Sequence, residues 1–216
     1  MRYKLIILDI DGTITRHISS WRYIHEKLGL WKERAFQYEK AFFAGKINYR
    51  KFCELDAAHW RGMDAAKLRR VFNGVKYSKN AVRSIIELKR LGFKIAAIST
   101  GLQFIPERLK KELGIDYCVY NSLRTYRGKI TGGVKINLAH GAKHKALSKI
   151  FFRFGVKPHE TIAVGDSEGD VPLARNTGYS IAFNCTSREL ARIADYNCRT
   201  KDFREVYRKI VEVNDK

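Results

Sequence analysis

The feature that most limits what this chain can fold into is the run Leu5-Ile6-Ile7-Leu8, which ends in Asp9-Ile10-Asp11-Gly12. Four consecutive aliphatics suit a strand buried on both faces, as in the middle of a parallel sheet, rather than a half-exposed antiparallel one. An acidic pair and a glycine directly after such a strand belong at the carboxyl edge of the sheet, where α/β folds bind their ligands. The pattern recurs. Phe93 to Ile98 leads into Ser99-Thr100-Gly101, Thr161 to Val164 leads into Gly165-Asp166, and Tyr179 to Phe183 reads as a further strand. Helical spacing predicts helices between them. One is capped by Ser78 with Val82, Ile85, Leu88 and Leu91 inward; others lie near Pro106 to Leu113, Ala142 to Phe154, Val171 to Asn176 and Phe203 to Val213. Tyr117 to Tyr126, turning at Arg127-Gly128 into Lys129 to Val134, reads as a hairpin. The fold class is therefore α/β, a doubly wound, Rossmann-like parallel sheet.

Residues 15–77 interrupt this alternation. Trp21, Ile24 and Leu28 share a helical face before Gly29, and Trp31, Ala35, Tyr38 and Phe42 share another before Gly45. Asn48 caps a third predicted helix with Phe52, Leu55 and His59 on one side, and Asp64 a fourth carrying Leu68, Val71 and Phe72. The expected organisation is a core of residues 1–14 and 78–216, with a small hairpin flap near 117–134, and an inserted all-helical unit of residues 15–77.

With 216 residues there is room for one substantial core and a small insert. No apolar run approaches the roughly 18 to 20 residues of a membrane span, and Asp9 and Asp11 break the first one before it could serve as an export leader. A soluble, cytoplasmic protein without membrane attachment is expected. Cys53, Cys118, Cys185 and Cys198 are too scattered for a zinc site or a disulfide framework and are expected to be buried thiols. The formal charge of +20 attracts anions without choosing among them. Residues 15–77 hold 14 Lys/Arg and 6 Asp/Glu, so the excess is spread over insert and core. Nucleic acid is accordingly expected only through non-specific attraction. The sequence sets no oligomeric state.

Four short elements would meet on the carboxyl edge: Asp9-Ile10-Asp11-Gly12-Thr13, Ser99-Thr100-Gly101, Lys143, and Gly165-Asp166-Ser167-Glu168-Gly169-Asp170. Alone, each has a plain reading as a turn, a βα loop or a solvated lysine. In this order they resemble the four motifs of the haloacid dehalogenase superfamily, and the resemblance spans essentially the whole chain. It implies a phosphatase. Asp9 would be the nucleophile and Asp11 the general acid and base. Ser99, Thr100, Gly101 and Lys143 would hold the phosphoryl group. The Asp9 and Asp166 carboxylates and the Asp11 carbonyl would ligate Mg²⁺, with Asp170 as an accessory acid. Lys143 is chosen over Lys145 by its distance from Asp166, and Lys145 remains the fallback. The chemistry has a physical reason: a carboxylate can attack a phosphate dianion only where a cation and a lysine neutralise charge on both partners.

The helical insert resembles the cap of the superfamily's helical-cap class, and the Gly45-Lys46-Ile47-Asn48 stretch and the hairpin look most like the phosphoserine phosphatase branch. Where that branch places a glutamate for the substrate amine, this chain has Ile18-Ser19-Ser20-Trp21, with no acid until Glu26. Where it offers an arginine for the substrate carboxylate, this chain shows Cys53, Glu54, Leu55 and Asp56. A small phosphorylated metabolite is therefore expected as substrate, with weak or no preference for phosphoserine. Arg16, His17 and Arg22 read as solvated cap positions and Trp21, Trp31 and Trp60 as cap core. A phosphomutase with the same intermediate, or a basic module associated with nucleic acid, are the alternatives.

Overall fold

The computed structural model describes residues 1–17 and 19–215 and, of these, every side chain but those of Lys32 and Glu33. Ile18 lies outside the described residues.

The described strands are β1 (Leu5–Asp9), β2 (Lys94–Leu102), β3 (Tyr117–Tyr126), β4 (Lys129–Lys135), β5 (Thr161–Gly165), β6 (Tyr179–Ala182) and β7 (Tyr196–Asn197), and they form one sheet in the order β4-β3-β2-β1-β5-β6-β7. All pairs are parallel except β3 with β4. The central strand pairs Leu5 with both Lys94 and Thr161, and all five of its residues are buried.

Burial of β1 explains its unbroken aliphatic run. Ile6 and Leu8 pack in one cluster with Ile85 and Leu88 of α5 (Ala81–Arg90) and Val206 and Ile210 of α10 (Arg204–Asn214). Leu5 and Ile7 pack on the other face with Leu147 and Ile150 of α7 (Leu147–Phe154) and Leu173 of α8 (Val171–Ala174). A residue pointing either way from β1 meets a helix layer, and each such aliphatic contributes about 1.5–3 kcal/mol. The sheet is thus covered on both faces and its carboxyl edge is left for a site.

Between β1 and β2, α1 (Ser20–Lys27), α2 (Phe36–Phe43), α3 (Tyr49–Ala58) and α4 (Ala65–Asn73) precede α5. Ser19, Asn48 and Asp64 cap α1, α3 and α4 through their side chains. Two expected faces differ. On α3 the buried residues are Phe52, Cys53, Asp56 and Ala57, while Leu55 and His59 are half-buried, so one carboxylate is taken inside. On α2, which a π turn at Trp31–Ala35 precedes, no residue is fully buried: Tyr38 and Phe42 pack partly against the core, while Glu39, Phe42 and Phe43 line a cavity.

Ser78 does not cap α5. Its hydroxyl donates to the Thr13 carbonyl at 2.7 Å, and Asn80, at a left-handed φ of 60°, occupies the cap. The later start turns Ala81, Ser84, Ile85 and Leu88 inward and leaves Leu91 exposed. Other differences are small. The helix expected from Ala142 opens as a 3-10 turn at Lys143–Ala146, and α6 covers Phe104–Leu113. The helix α9 (Arg188–Ile193) and the two-residue β7 were not expected, being too short to show a period.

The hairpin of β3 and β4 is bonded to the helical insert. Gly62 N–H donates to the Ile130 carbonyl and Ile130 N–H to the Met63 carbonyl, both at 2.8 Å, and Ala65 N–H donates to the Gly128 carbonyl at 2.9 Å.

Candidate active site

Each of the four expected elements arrives at the carboxyl edge. Asp9 ends β1 and is 3% exposed. Gly12 follows at a φ of +92°, and a Cβ there would collide with the Asp166 carboxylate, so only glycine lets the turn pass so close. Asp166 follows β5, and Thr13 donates to its Oδ1 at 3.4 Å. Lys143 opens its 3-10 turn with its ammonium buried, donating to Asp9 Oδ1 and, at 2.6 Å, to Asp170 Oδ1. Lys145 is exposed and takes no part. The other Asp170 oxygen accepts from Asp166 N–H, Ser167 N–H and the Ser167 hydroxyl, each at 3.1 Å, so this carboxylate holds the loop and Lys143 together.

The charges do not balance. Asp9, Asp11, Asp166 and Asp170 carry four formal negative charges around the one Lys143 ammonium. Burial pushes Asp9 well up, Lys143 opposes this, and the other three acids add to it. Burial and repulsion from Asp170 raise Asp166 to about 7, and burial raises Asp11 to about 6 against the Ser99 hydroxyl. Burial alone would lower Lys143, yet Asp170 and Asp9 outweigh it and keep the ammonium charged. Carboxylate oxygens of Asp9, Asp166 and Asp170 lie within 4.8 Å of one another, and Asp9 Oδ2 is buried with no hydrogen-bond partner. Hard oxygen donors in negative excess, one of them unsatisfied, fit a divalent cation such as Mg²⁺.

The Ser99 hydroxyl donates to Asp11 Oδ2 and accepts from Gly101 N–H, both at 2.8 Å. A Cβ on Gly101 would strike Asp11 and Ser20. The Thr100 carbonyl accepts from Trp21 Nε1 at 3.2 Å, the Tyr49 hydroxyl at 2.7 Å and Asn121 Nδ2 at 2.9 Å, which ties the loop to α1, α3 and β3. Asn121 is fully buried. Its amide nitrogen also donates to the Leu138 carbonyl, and its oxygen accepts from the N–H groups of Asn137 and Leu138.

Above Asp9 and Asp11 lies a cavity of about 350 Å³ whose far wall belongs to the insert and to His140. Trp21, Phe42, Phe43, Tyr49, Phe52 and His140 form a continuous aromatic surface on it, with Phe42 stacked on Phe52 at 5.3 Å and edge-on to His140 at 5.5 Å. Arg22 and Glu39 line it as well. Arg16 and His17 do not: Arg16 donates to the Tyr77 carbonyl and His17 packs at a tilt against Tyr23. Trp60 is wholly buried, whereas Trp21, expected in the cap core, also faces the cavity, and half-buried Trp31 lies under the Arg22 guanidinium.

Sequence reasoning missed Tyr49, Asn121, Glu39 and His140. A signal existed for two. Asn121 is a lone amide in a strand, and Glu39 stands three and four residues before Phe42 and Phe43, on their helical face. His140 sits in an irregular loop and gave none.

Comparison with known proteins agrees with the geometry. The chain is 29% identical over 208 residues to a phosphoserine phosphatase of Methanocaldococcus jannaschii, covering 96% of this chain and 97% of the relative. It is 27% identical over 187 residues to one of Archaeoglobus fulgidus, covering 84% of this chain and about half, 52%, of that longer relative. A solved phosphoserine phosphatase carrying an analogue of a phospho-aspartyl intermediate superposes with a TM-score of 0.82 at 28% identity, over 97% of this chain and 99% of the other. The family model of haloacid dehalogenase-like hydrolases matches residues 6–175, and with that match the chain belongs to this family of hydrolases.

Proposed function

We propose that this protein is a Mg²⁺-dependent phosphatase that hydrolyses a small phosphate monoester through an aspartyl-phosphate at Asp9. The observation that carries the proposal is the buried Lys143 ammonium on Asp9 Oδ1, beside an Asp9 Oδ2 that accepts nothing, at the floor of a cavity. Asp9, Asp166 and the Asp11 carbonyl would hold the cation, with Asp170 as its accessory acid, and the cation would lower the repulsion between carboxylate and phosphate.

Asp9 attacks phosphorus as the bond to the leaving oxygen breaks, and the Asp11 carboxyl gives that oxygen its proton. Water then attacks the aspartyl-phosphate. Asp11, now a carboxylate, takes the water proton, and phosphate leaves with Asp9 restored. Lys143 and the loop of Ser99, Thr100 and Gly101 offset the charge on the phosphoryl oxygens. Ser99 is engaged by Asp11 and Gly101, so binding phosphate would redirect the Ser99 hydroxyl and the Gly101 N–H.

The helices of residues 15–77 serve as the cap that closes this cavity and reads the leaving group. The substrate is a small phosphorylated metabolite, since 350 Å³ is at the low end for a ligand pocket. No helix among the described residues is long and apolar enough to cross a membrane, and the four cysteines are free thiols, as a cytoplasmic enzyme allows.

Phosphate release from an aryl phosphate, measured for wild type and Asp9→Asn with Mg²⁺ and with a chelator, tests the proposal. Activity lost in both controls supports it; activity that survives either one sinks it.

A further inference from the structure

The wall opposite the phosphate site carries its own chemistry. Trp21, Phe42, Phe43, Tyr49, Phe52 and His140 present ring surface to the cavity, and Glu39 stands among them on the face of α2 that also bears Phe42 and Phe43. Among the described residues Glu39 accepts no hydrogen bond and makes no ion pair. The polar groups nearest the phosphate end are already engaged: Tyr49 with the Thr100 carbonyl, Ser20 with Leu102 N–H, and Ser167 with Asp170.

The charges on this wall are one-sided. Arg22 is its single cation among the described residues, and it is held by Glu26 at 2.7 Å and stacked on Trp31. Burial raises Glu39 above the usual carboxylate range; Arg22 opposes this, and the like charges of Asp56 and Glu26 add to it. Asp56, buried behind the wall, has His25 at 3.2 Å. A leaving group with a carboxylate would find, among the described residues of this wall, no cation but Arg22, already paired with Glu26, and would meet Glu39. Aromatic faces carry negative potential, and several of them around one carboxylate form a receptor for an organic ammonium.

Resting on the phosphatase reading above, we infer that the leaving group is a small amino alcohol, so that the substrate is a phosphate monoester bearing an ammonium group and no carboxylate. The phosphate sits over Asp9 and Lys143, and the ammonium sits against Glu39 and the rings.

The test compares kcat/KM of the Mg²⁺-loaded protein for the phosphate esters of choline, ethanolamine, serine and phenol. The expected result is that the choline or ethanolamine ester exceeds the serine ester by about tenfold or more. Glu39→Gln should lower the ratio of the best ammonium ester to the phenyl ester about tenfold, and Glu39→Asp should restore part of it. A serine or phenyl ester that ranks first, or a ratio that Glu39→Gln leaves unmoved, overturns the inference. If no ester is hydrolysed, the phosphatase reading fails by itself. Calorimetric binding of phosphocholine to the Asp9→Asn protein, with and without Glu39→Gln, still decides the headgroup: tighter binding with Glu39 supports the inference, and equal or no binding overturns it.

Discussion

The floor and the wall of the cavity are built on opposite rules. The floor is a knot of buried charge in which Lys143, Asp170, Ser167 and Ser99 each make defined polar contacts, delivered by the ends of β1, β2 and β5 and by the turn before α7. The wall is almost all aromatic surface from α1, α2 and α3, with one carboxylate left unbonded. Charge needs fixed geometry, so the floor belongs on rigid strand ends. Ring surface tolerates variation, so the wall can sit on a helix such as α2, which buries none of its residues completely. On the proposed phosphatase reading, chemistry and choice of substrate are thereby separated between two parts of one cavity.

Changes that separate the two regions sharpen the comparison. Lys143→Met should give the largest effect, a loss in kcat of about 10³-fold on every ester tested. A loss confined to some esters, in a steady-state panel, would break the claim that the floor does not discriminate. Asn121→Ala comes next. It leaves the Leu138 carbonyl and the Asn137 and Leu138 N–H groups without their partner and takes one of three donors from the Thr100 carbonyl, and about 2–4 kcal/mol of stability should go, read by denaturant unfolding. Activity on all esters should fall with it, because the loop of Ser99 loses its tie to β3.

Tyr49→Phe removes the bond to the Thr100 carbonyl at 2.7 Å and the one accepted from Asn121 Nδ2 at 3.1 Å, while keeping the ring. Stability should fall by about 1 kcal/mol, with KM rising for every ester and the order of preference unchanged. A changed order would mean that the hydroxyl itself reads substrate.

The smallest effect should lie outside both regions. Burial would raise Glu205, but donors from Arg199 N–H, the N–H and hydroxyl of Thr200 and the Tyr196 hydroxyl outweigh it and bring the carboxyl down to about 2. A carboxyl lowered on folding stabilises above its unfolded value, near 4.5, and that contribution is lost as pH falls towards 2. Glu205→Gln should thus cost about 1 kcal/mol at neutral pH, with the gap to wild type closing in melts taken through that acid window. A gap that does not change with pH would remove Glu205 as a source of acid sensitivity.

How much could be read in the sequence follows the same division. The strands that carry the floor announce themselves, because a strand buried on both faces must be written in aliphatics and the polar residues of the site must follow directly. Asp9, Asp11, Ser99, Lys143, Asp166 and Asp170 were each legible from such endings and from motif order, and the structure brings them to one edge. The wall was less legible. Trp21 and Phe42 have the spacing of core residues, and only the three-dimensional arrangement turns them towards a cavity. The α3 face was misread because Asp56 lies inside beside His25, and periodicity counts a carboxylate as exposed. The Ser78 cap failed for a tertiary reason, since the hydroxyl is taken by the Thr13 carbonyl in the turn after β1.

The bonds between the hairpin and residues 62–65 bear on a different matter. A sheet that ended in a bare β4 would offer a row of unpaired N–H and C=O groups to any extended chain, the usual start of unwanted strand pairing. Here the Ile130 N–H and carbonyl and the Gly128 carbonyl are taken by Gly62, Met63 and Ala65. At the opposite end β7 is two residues long, too short to template much. The segment that joins α3 of the wall to α4 therefore also covers the start of one open margin of the sheet, and shortening it to alter specificity should make the protein more prone to aggregate.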